Sequence, residues 1–165
     1  MRVEEVIAEF ELIKDAEVRR KAISVWEEAL AERRLGAEVL EKTAFCADVS
    51  AERVSLAAHI RGVARTAAHL AETYRDLYGL EIDGDALVAA ALIHDVGKMD
   101  EAEDARLEHS LSSALRAHRA GLPTTTVHAI AFHSESCADK RACVEAELLH
   151  FADFAHYRPL LAAKF

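Results

Sequence analysis

Hydrophobic residues recur along the chain mostly at the three- and four-residue spacing of an α-helix. The clearest segment covers residues 86–93, Ala-Leu-Val-Ala-Ala-Ala-Leu-Ile, which is apolar on every side. Such a segment predicts a central helix that is buried all round. The two prolines and six glycines leave few turn residues for a β-rich fold. The pattern therefore predicts an all-α fold.

Capping residues set the expected ends of the other helices. Asp15 and Ser50 are suitable N-caps for the second and third helices, and Gly36 and Gly79 follow their C-terminal ends. The predicted helices cover residues 3–14, 15–35, 51–78, 85–97, 110–120, 124–133 and 141–157.

The segments between these helices carry less information. Residues 37–49 are ambiguous, and the acidic and polar residues 99–108 predict a surface loop. Pro123 and Pro159 are expected at helix boundaries. The N-terminal helices and Trp26 are expected to cover the core, although a homodimer face is the alternative.

Composition narrows the class of protein. A chain of 165 residues with 52% hydrophobic and 30% charged residues suits one folded domain. Its net charge of −9 disfavours binding to nucleic acids, and no apolar run approaches the roughly 20 residues that span a bilayer. No signal peptide is evident, so a cytoplasmic protein is expected, with Cys46, Cys137 and Cys143 as free thiols.

The apolar segment 86–93 runs directly into His94-Asp95-Val-Gly-Lys98. An imidazole and a carboxylate at the end of a buried helix need partners, and a divalent cation would serve both. The negative end of the helix dipole also favours a cation there. The structural alternative is a His–Asp pair that is hydrogen-bonded to itself and caps the helix.

Two further polar residues stand in apolar surroundings, His59 in Leu-Ala-Ala-His-Ile and Asp153 in Phe-Ala-Asp-Phe-Ala. Each alone is more often a satisfied core residue than a ligand. Their order with the pair, His59, His94-Asp95 and then Asp153, resembles the H…HD…D signature of HD-domain metal-dependent phosphohydrolases. The resemblance covers residues 50–157, and residues 1–36 look like the N-terminal extension of a largely archaeal prokaryotic branch of that superfamily.

The resemblance implies one domain over 1–165, an HD-type bundle of six to eight helices. It also implies that the four signature residues bind one metal ion and that Asp95 can bridge to a second. His109 and His133 match the positions at which two-metal branches add ligands. The residue types suit one or two divalent ions, Fe, Mn, Zn, Co or Ni, without choosing among them.

In the family pattern Asp95 also helps to orient the attacking water, and Lys98 holds the substrate phosphate. Ser134, Arg61 and His150 are further candidates for substrate contacts, and His150 shares a helical face with Asp153.

The expected function is hydrolysis of a phosphoester or phosphoanhydride by water activated at the metal. The ligand order is similar to that of small dinucleoside polyphosphate hydrolases, so a small, nucleotide-type substrate is expected. Two alternatives stay open. One is a mixed-valent diiron oxygenase, a reaction known from proteins with the same six-ligand pattern, and the other is a metal-stabilised binding or sensing module without turnover.

Overall fold

The computed structural model describes residues 1–101 and 108–163. Within them the chain forms eight α-helices and no β-strand, which confirms the predicted all-α fold. Short 3-10 helices occupy Ala8–Leu12, Ala37–Glu41 and Glu135–Lys140. The α-helices are α1 (Val3–Val6), α2 (Ala16–Glu32), α3 (Leu56–Tyr78), α4 (Gly84–Ile93), α5 (Lys98–Glu101), α6 (His109–Arg119), α7 (Thr124–Ala131) and α8 (Val144–Ala162).

Helix α4 is the centre of the bundle, as its apolar sequence predicts. Every residue from Ala86 to Ile93 is buried, and α2, α3, α7 and α8 pack around it. Asp83 caps its N-terminus by accepting a hydrogen bond from the Ala86 amide at 2.9 Å. The residues that follow α4 therefore emerge in the middle of the bundle.

The N-terminal segment differs from the single helix expected over 3–14. Helix α1 ends at Val6, and a 3-10 helix follows after Ile7, whose φ of −120° lies outside the helical range. Glu9 turns inward and accepts hydrogen bonds from Arg61 and Arg65 of α3. Tertiary pairing thus overrides the periodicity here, because so short a helix has little stability of its own.

The third helix begins later than predicted, with Ser55 rather than Ser50 as its N-cap. The Ser55 hydroxyl accepts a hydrogen bond from the Ala58 amide, whereas Ser50 starts a turn that its carbonyl closes with the Arg53 amide. A hydrogen bond from the Leu56 amide to the Thr43 carbonyl ties both ends of segment 43–56 together at 2.7 Å. This segment lies across one side of the helical bundle.

Two smaller expectations are also wrong. Residues 99–101 of the predicted loop 99–108 are helical and belong to α5. Residues 102–107 of that loop lie outside the described residues, and Glu108 is the N-cap of α6. Pro159 lies inside α8 instead of at its boundary.

The buried apolar residues form one cluster that extends from Val3 to Ala152. Trp26 is completely buried in this cluster, so it covers the core and does not belong to an exposed dimer face. The three cysteines are free. None of the described helices has both the length and the apolar content that a bilayer crossing needs.

Candidate metal centre

His94 and Asp95 follow directly after α4 and are buried at the centre of the bundle. The His94 Nδ1–H donates to the Ala91 carbonyl at 2.8 Å. This bond leaves the lone pair on Nε2, which is buried and has no hydrogen-bond partner among the described residues. The nearest Asp95 oxygen, Oδ2, lies 3.5 Å away. The pair is therefore not closed on itself, contrary to the structural alternative.

His59 from α3 and Asp153 from α8 meet this pair. The His59 Nε2 lies 3.1 Å from Asp153 Oδ1 and 3.5 Å from Asp95 Oδ2. Asp153 Oδ1 is also 3.8 Å from the Nε2 of His94. The structure thus brings together, from three helices, the four residues that the sequence singled out as a signature.

His109 and His133 complete the cluster on its other side. The Nε2 of His109, the first residue of α6, lies 3.6 Å from Asp95 Oδ1. The ring centroid of His133 is 5.1 Å from that of His94 and 5.5 Å from that of His109. The two oxygens of Asp95 therefore face different histidines, since Oδ2 is turned toward His59 and His94.

The donor set fits a metal ion. Among the described residues, three overlapping groups have one ligand atom per residue within 4.8 Å of one another: His59 with His94 and Asp95, His94 with His133 and Asp153, and Asp95 with His109 and His133. Mixed imidazole and carboxylate donors suit divalent transition metals. A cation would also satisfy the buried, unpartnered Nε2 of His94.

Burial and charge put these residues in the protonation states that ligands need. Burial lowers the pKa of His94 and lowers that of His133 to about 4, so both imidazoles are neutral at pH 7. Burial opposes ionisation of Asp95, but neighbouring positive charge, including the Lys98 ammonium group at 2.7 Å from Oδ2, holds the pKa of that carboxyl well below its usual range. For Asp153 the hydrogen bond with His59 outweighs burial and lowers the pKa.

Gly97 fixes the position of His109. The Gly97 amide donates to the Ser113 hydroxyl of α6 at 2.8 Å. A Cβ at residue 97 would lie 2.2 Å from the carbonyl oxygen of His109, so only glycine allows this close approach. The turn after His94-Asp95 therefore packs directly against the start of α6.

Two side chains hold the loop around His133 by donating hydrogen bonds to three consecutive backbone carbonyls. The Arg141 Nη1 donates to the carbonyls of Phe132 and Ser134, at 3.4 and 3.0 Å. The carbonyl of His133 accepts from the His150 Nδ1–H at 2.7 Å. His150 was expected to orient Asp153 or contact substrate, whereas it orients the backbone of His133.

The cluster forms the floor of a cavity of about 300 Å³. Lys98 lines this cavity, and its ammonium group donates to Asp95 Oδ2 at 2.7 Å and to the Phe45 carbonyl. Ser134 also lines it, as expected. The sequence reasoning assigned no site role to five further lining residues: Phe45, Cys46, Glu135, Phe154 and Tyr157.

Helical spacing could have revealed one of these residues, because Tyr157 follows Asp153 on α8 by four positions. Phe45 had no such signal, since it lies in the segment whose structure the sequence left ambiguous. It reaches the site only through the fold of segment 43–56, where its ring stacks on His59 with centroids 4.7 Å apart.

Arg61 is not brought to the cavity, contrary to the expectation that it could line the cleft. Its Nε donates to Glu9 Oε2 at 2.9 Å, on another face of α3. His69 is largely exposed beside Glu72. His156 contacts the Thr66 hydroxyl and packs closely against Gly62.

Comparison with known proteins gives two findings. The family model described as "HD domain" matches residues 56–157. The chain is also similar to dihydroneopterin 2′,3′-cyclic phosphate phosphodiesterase of Methanocaldococcus jannaschii, with 25% identity over 169 residues, which cover 93% of this chain and 68% of the relative. No solved structure matches the chain.

Proposed function

Because the chain belongs to the HD domain family, we propose that it is a metal-dependent phosphohydrolase. One observation carries this proposal: the Nε2 of His94 is buried without a hydrogen-bond partner and faces two carboxylates. A purely structural pair would satisfy that nitrogen, since an unpaired buried polar atom costs roughly 1–3 kcal/mol. A bound cation explains why it is left open.

His59, His94, Asp95 and Asp153 would hold one ion, and His109 and His133, together with Asp95, would hold a second. A divalent metal in such a site lowers the pKa of water and neutralises charge on phosphoryl oxygens. The sequence and the geometry leave its identity open among Fe, Mn, Zn, Co and Ni.

Lys98 would hold the substrate phosphate. An ammonium group has three donors, and the bonds to Asp95 and to the Phe45 carbonyl use two of them. The third can donate to a phosphoryl oxygen in the cavity and stabilise the negative charge that develops there. Ser134, which also lines the cavity, offers a hydroxyl for the same group.

A cyclic phosphodiester of a nucleotide-like molecule is the substrate class that we propose. The relative in Methanocaldococcus jannaschii acts on dihydroneopterin 2′,3′-cyclic phosphate, which joins a ring system to one cyclic phosphate. A 2′,3′-cyclic nucleotide presents the same cyclic phosphate and is the natural first probe.

The test combines metal content with hydrolysis of guanosine 2′,3′-cyclic phosphate. We expect one or two equivalents of metal and ring-opening to a phosphomonoester. The variants His109→Ala, at the edge of the cluster, and Asp153→Asn should lower kcat/KM about 100-fold or more, since even changes around metal ligands cost 10- to 100-fold. The exposed His69→Ala serves as the control and should keep both properties.

Two outcomes would overturn the proposal. A protein that binds no ion after reconstitution with each candidate metal would leave the cluster as a structural feature. Bound iron with an oxygen-dependent reaction and no phosphate release would indicate the oxygenase alternative.

A further inference from the structure

Three aromatic side chains form a continuous wall beside the metal centre, which we call the aromatic wall: Phe45, Phe154 and Tyr157. The ring centroids of Phe154 and Tyr157 are 5.9 Å apart and those of Tyr157 and Phe45 are 6.2 Å apart, both edge to face. Such pairs are stable arrangements of aromatic rings. All three line the cavity above the proposed ligands.

The members of the aromatic wall differ in exposure. Phe45 is 1% exposed and stacks on His59, so it forms the back of the wall. Phe154 and Tyr157 are only half-buried, and both belong to the cavity lining. Each therefore exposes part of its ring next to Asp153. His150 packs against the Phe154 ring with centroids 4.4 Å apart, and the Arg158 guanidinium lies 5.7 Å from the centroid of that ring.

Charge limits what can lie along this wall. Lys98 is the one lysine or arginine among the described residues that line the cavity. Glu135 lines its mouth, where its carboxylate is 66% exposed and accepts from Arg158 at 2.8 Å. Lys98 can therefore bind one phosphate beside this wall, whereas Glu135 is already paired with Arg158.

Size points the same way. The cavity of about 300 Å³ lies at the small end of the range for ligand sites, roughly 300–1,000 Å³. It has room for one ring system with one phosphorylated sugar.

We propose that Phe154 and Tyr157 form a subsite that stacks against the planar ring of a substrate carrying a single phosphate. This inference rests on the proposed hydrolysis and adds the residues that select the organic part of the substrate. Stacking of a base on an aromatic side chain is sequence-tolerant, because every base has a π-face. The subsite would therefore select planar rings over ringless phosphates and discriminate weakly among bases.

The test compares two substrates with the same reacting group, guanosine 2′,3′-cyclic phosphate and glycerol 1,2-cyclic phosphate. In Phe154→Leu we expect the ratio of their kcat/KM values to fall about 5- to 100-fold through a higher KM for the nucleotide. Phe154→Tyr keeps a ring and should restore the ratio. Phe151→Leu is the matched control, because Phe151 lies on α8 but is exposed outside the cavity lining.

An unchanged ratio in Phe154→Leu, or an equal loss on both substrates, would overturn the subsite. Melting temperature and metal content of each variant show whether it folds and keeps its ions. If the wild type hydrolyses neither substrate, the proposed function fails instead. Titration of guanosine monophosphate into wild type and Phe154→Leu then still decides the subsite, since equal affinities would refute it.

Discussion

The orientation of the clustered histidines is set at the scale of a single turn. His94 and His133 each donate their Nδ1–H to the carbonyl three residues earlier, that of Ala91 and of Ile130. Each ring thus folds back on the turn before it and directs Nε2 toward the carboxylates. Such bonds fix the tautomer of a metal-binding histidine and raise its basicity. The same kind of hydrogen bond to the backbone therefore orients both histidines, each after a different helix.

Asp100 shows how a single carboxylate joins elements around this centre. It accepts hydrogen bonds from Arg33 of α2 and from Arg116 and Ser112 of α6. The hydrogen bond from Arg116 is the largest influence on its pKa and, against the effect of burial, holds that pKa at about 2. A carboxylate with a lowered pKa stabilises the folded state above its unfolded pKa and loses that contribution as pH falls.

We therefore expect Asp100→Asn to lower the free energy of unfolding by about 2 kcal/mol at pH 7. The difference from wild type should shrink below about pH 4 and disappear near pH 2, where the wild-type carboxyl becomes protonated. Urea unfolding at several pH values measures it. The exposed Asp76 of α3 supplies the control, Asp76→Asn, with little effect. A pH-independent difference between Asp100→Asn and wild type would contradict the ionic explanation.

At the scale of elements, α2 is joined to the end of α4 by Trp26. Its indole N–H donates to the Leu92 carbonyl at 2.8 Å inside the core. Carbonyls in the last turn of a helix lack intrahelical partners, and Leu92 lies two residues before His94. The N-terminal part of the chain thus supports the turn that carries the metal centre.

Trp26→Phe keeps an aromatic ring but removes this hydrogen bond. We expect a loss of about 1–3 kcal/mol in the free energy of unfolding, because a buried carbonyl loses its partner. Metal affinity should fall as well, since the end of α4 is less firmly held. Phe10→Leu provides the comparison, because Phe10 is buried in the N-terminal segment and its side chain makes no hydrogen bond. Calorimetric titration with Mn²⁺ should show weaker binding in Trp26→Phe alone; equal affinities in both variants would reject the link.

Helices were predicted well where capping residues, periodicity and packing agree. They were predicted poorly where more than one residue could serve as the same cap or contact. Ser50 and Ser55 are equally suitable N-caps by residue type. The hydrogen bond from the Leu56 amide to the Thr43 carbonyl favours Ser55. Arg61 is two residues from His59, and side chains two apart on a helix do not share a face, so Arg61 points away from the cavity and pairs with Glu9. The choice between the serines depends on a long-range contact that periodicity does not encode, whereas the position of Arg61 follows from helical spacing.

The ligand cluster could be predicted from the sequence because its members are polar residues in apolar surroundings. His94 and Asp95 interrupt a wholly apolar helix, and Asp153 lies between two phenylalanines. Burying such groups without partners is costly, so their positions indicate a shared site. Phe45 is an ordinary core residue by the same reasoning, and only the fold shows that it covers His59.

At the scale of the whole molecule, the candidate metal centre joins elements that are distant in the chain. Its members come from α3, the turn after α4, the start of α6, the loop after α7 and α8. An ion held by these residues would bind the folded chain and not the unfolded one. Binding must then raise stability in proportion to the logarithm of ion concentration over Kd.

Free metal at about 100 times Kd should stabilise the protein by roughly 2.7 kcal/mol. For a chain of this length each kcal/mol raises Tm by roughly 2–4 °C, so the expected shift is about 5–10 °C. Asp153→Asn should lose most of this shift because it weakens a carboxylate ligand, whereas His118→Ala, at an exposed position of α6, should keep it. Thermal unfolding of the chelator-treated protein, with and without Mn²⁺ or Zn²⁺, gives the values. A shift of the same size in Asp153→Asn and wild type would place the stabilising ion elsewhere, because only an ion that Asp153 binds can depend on its charge.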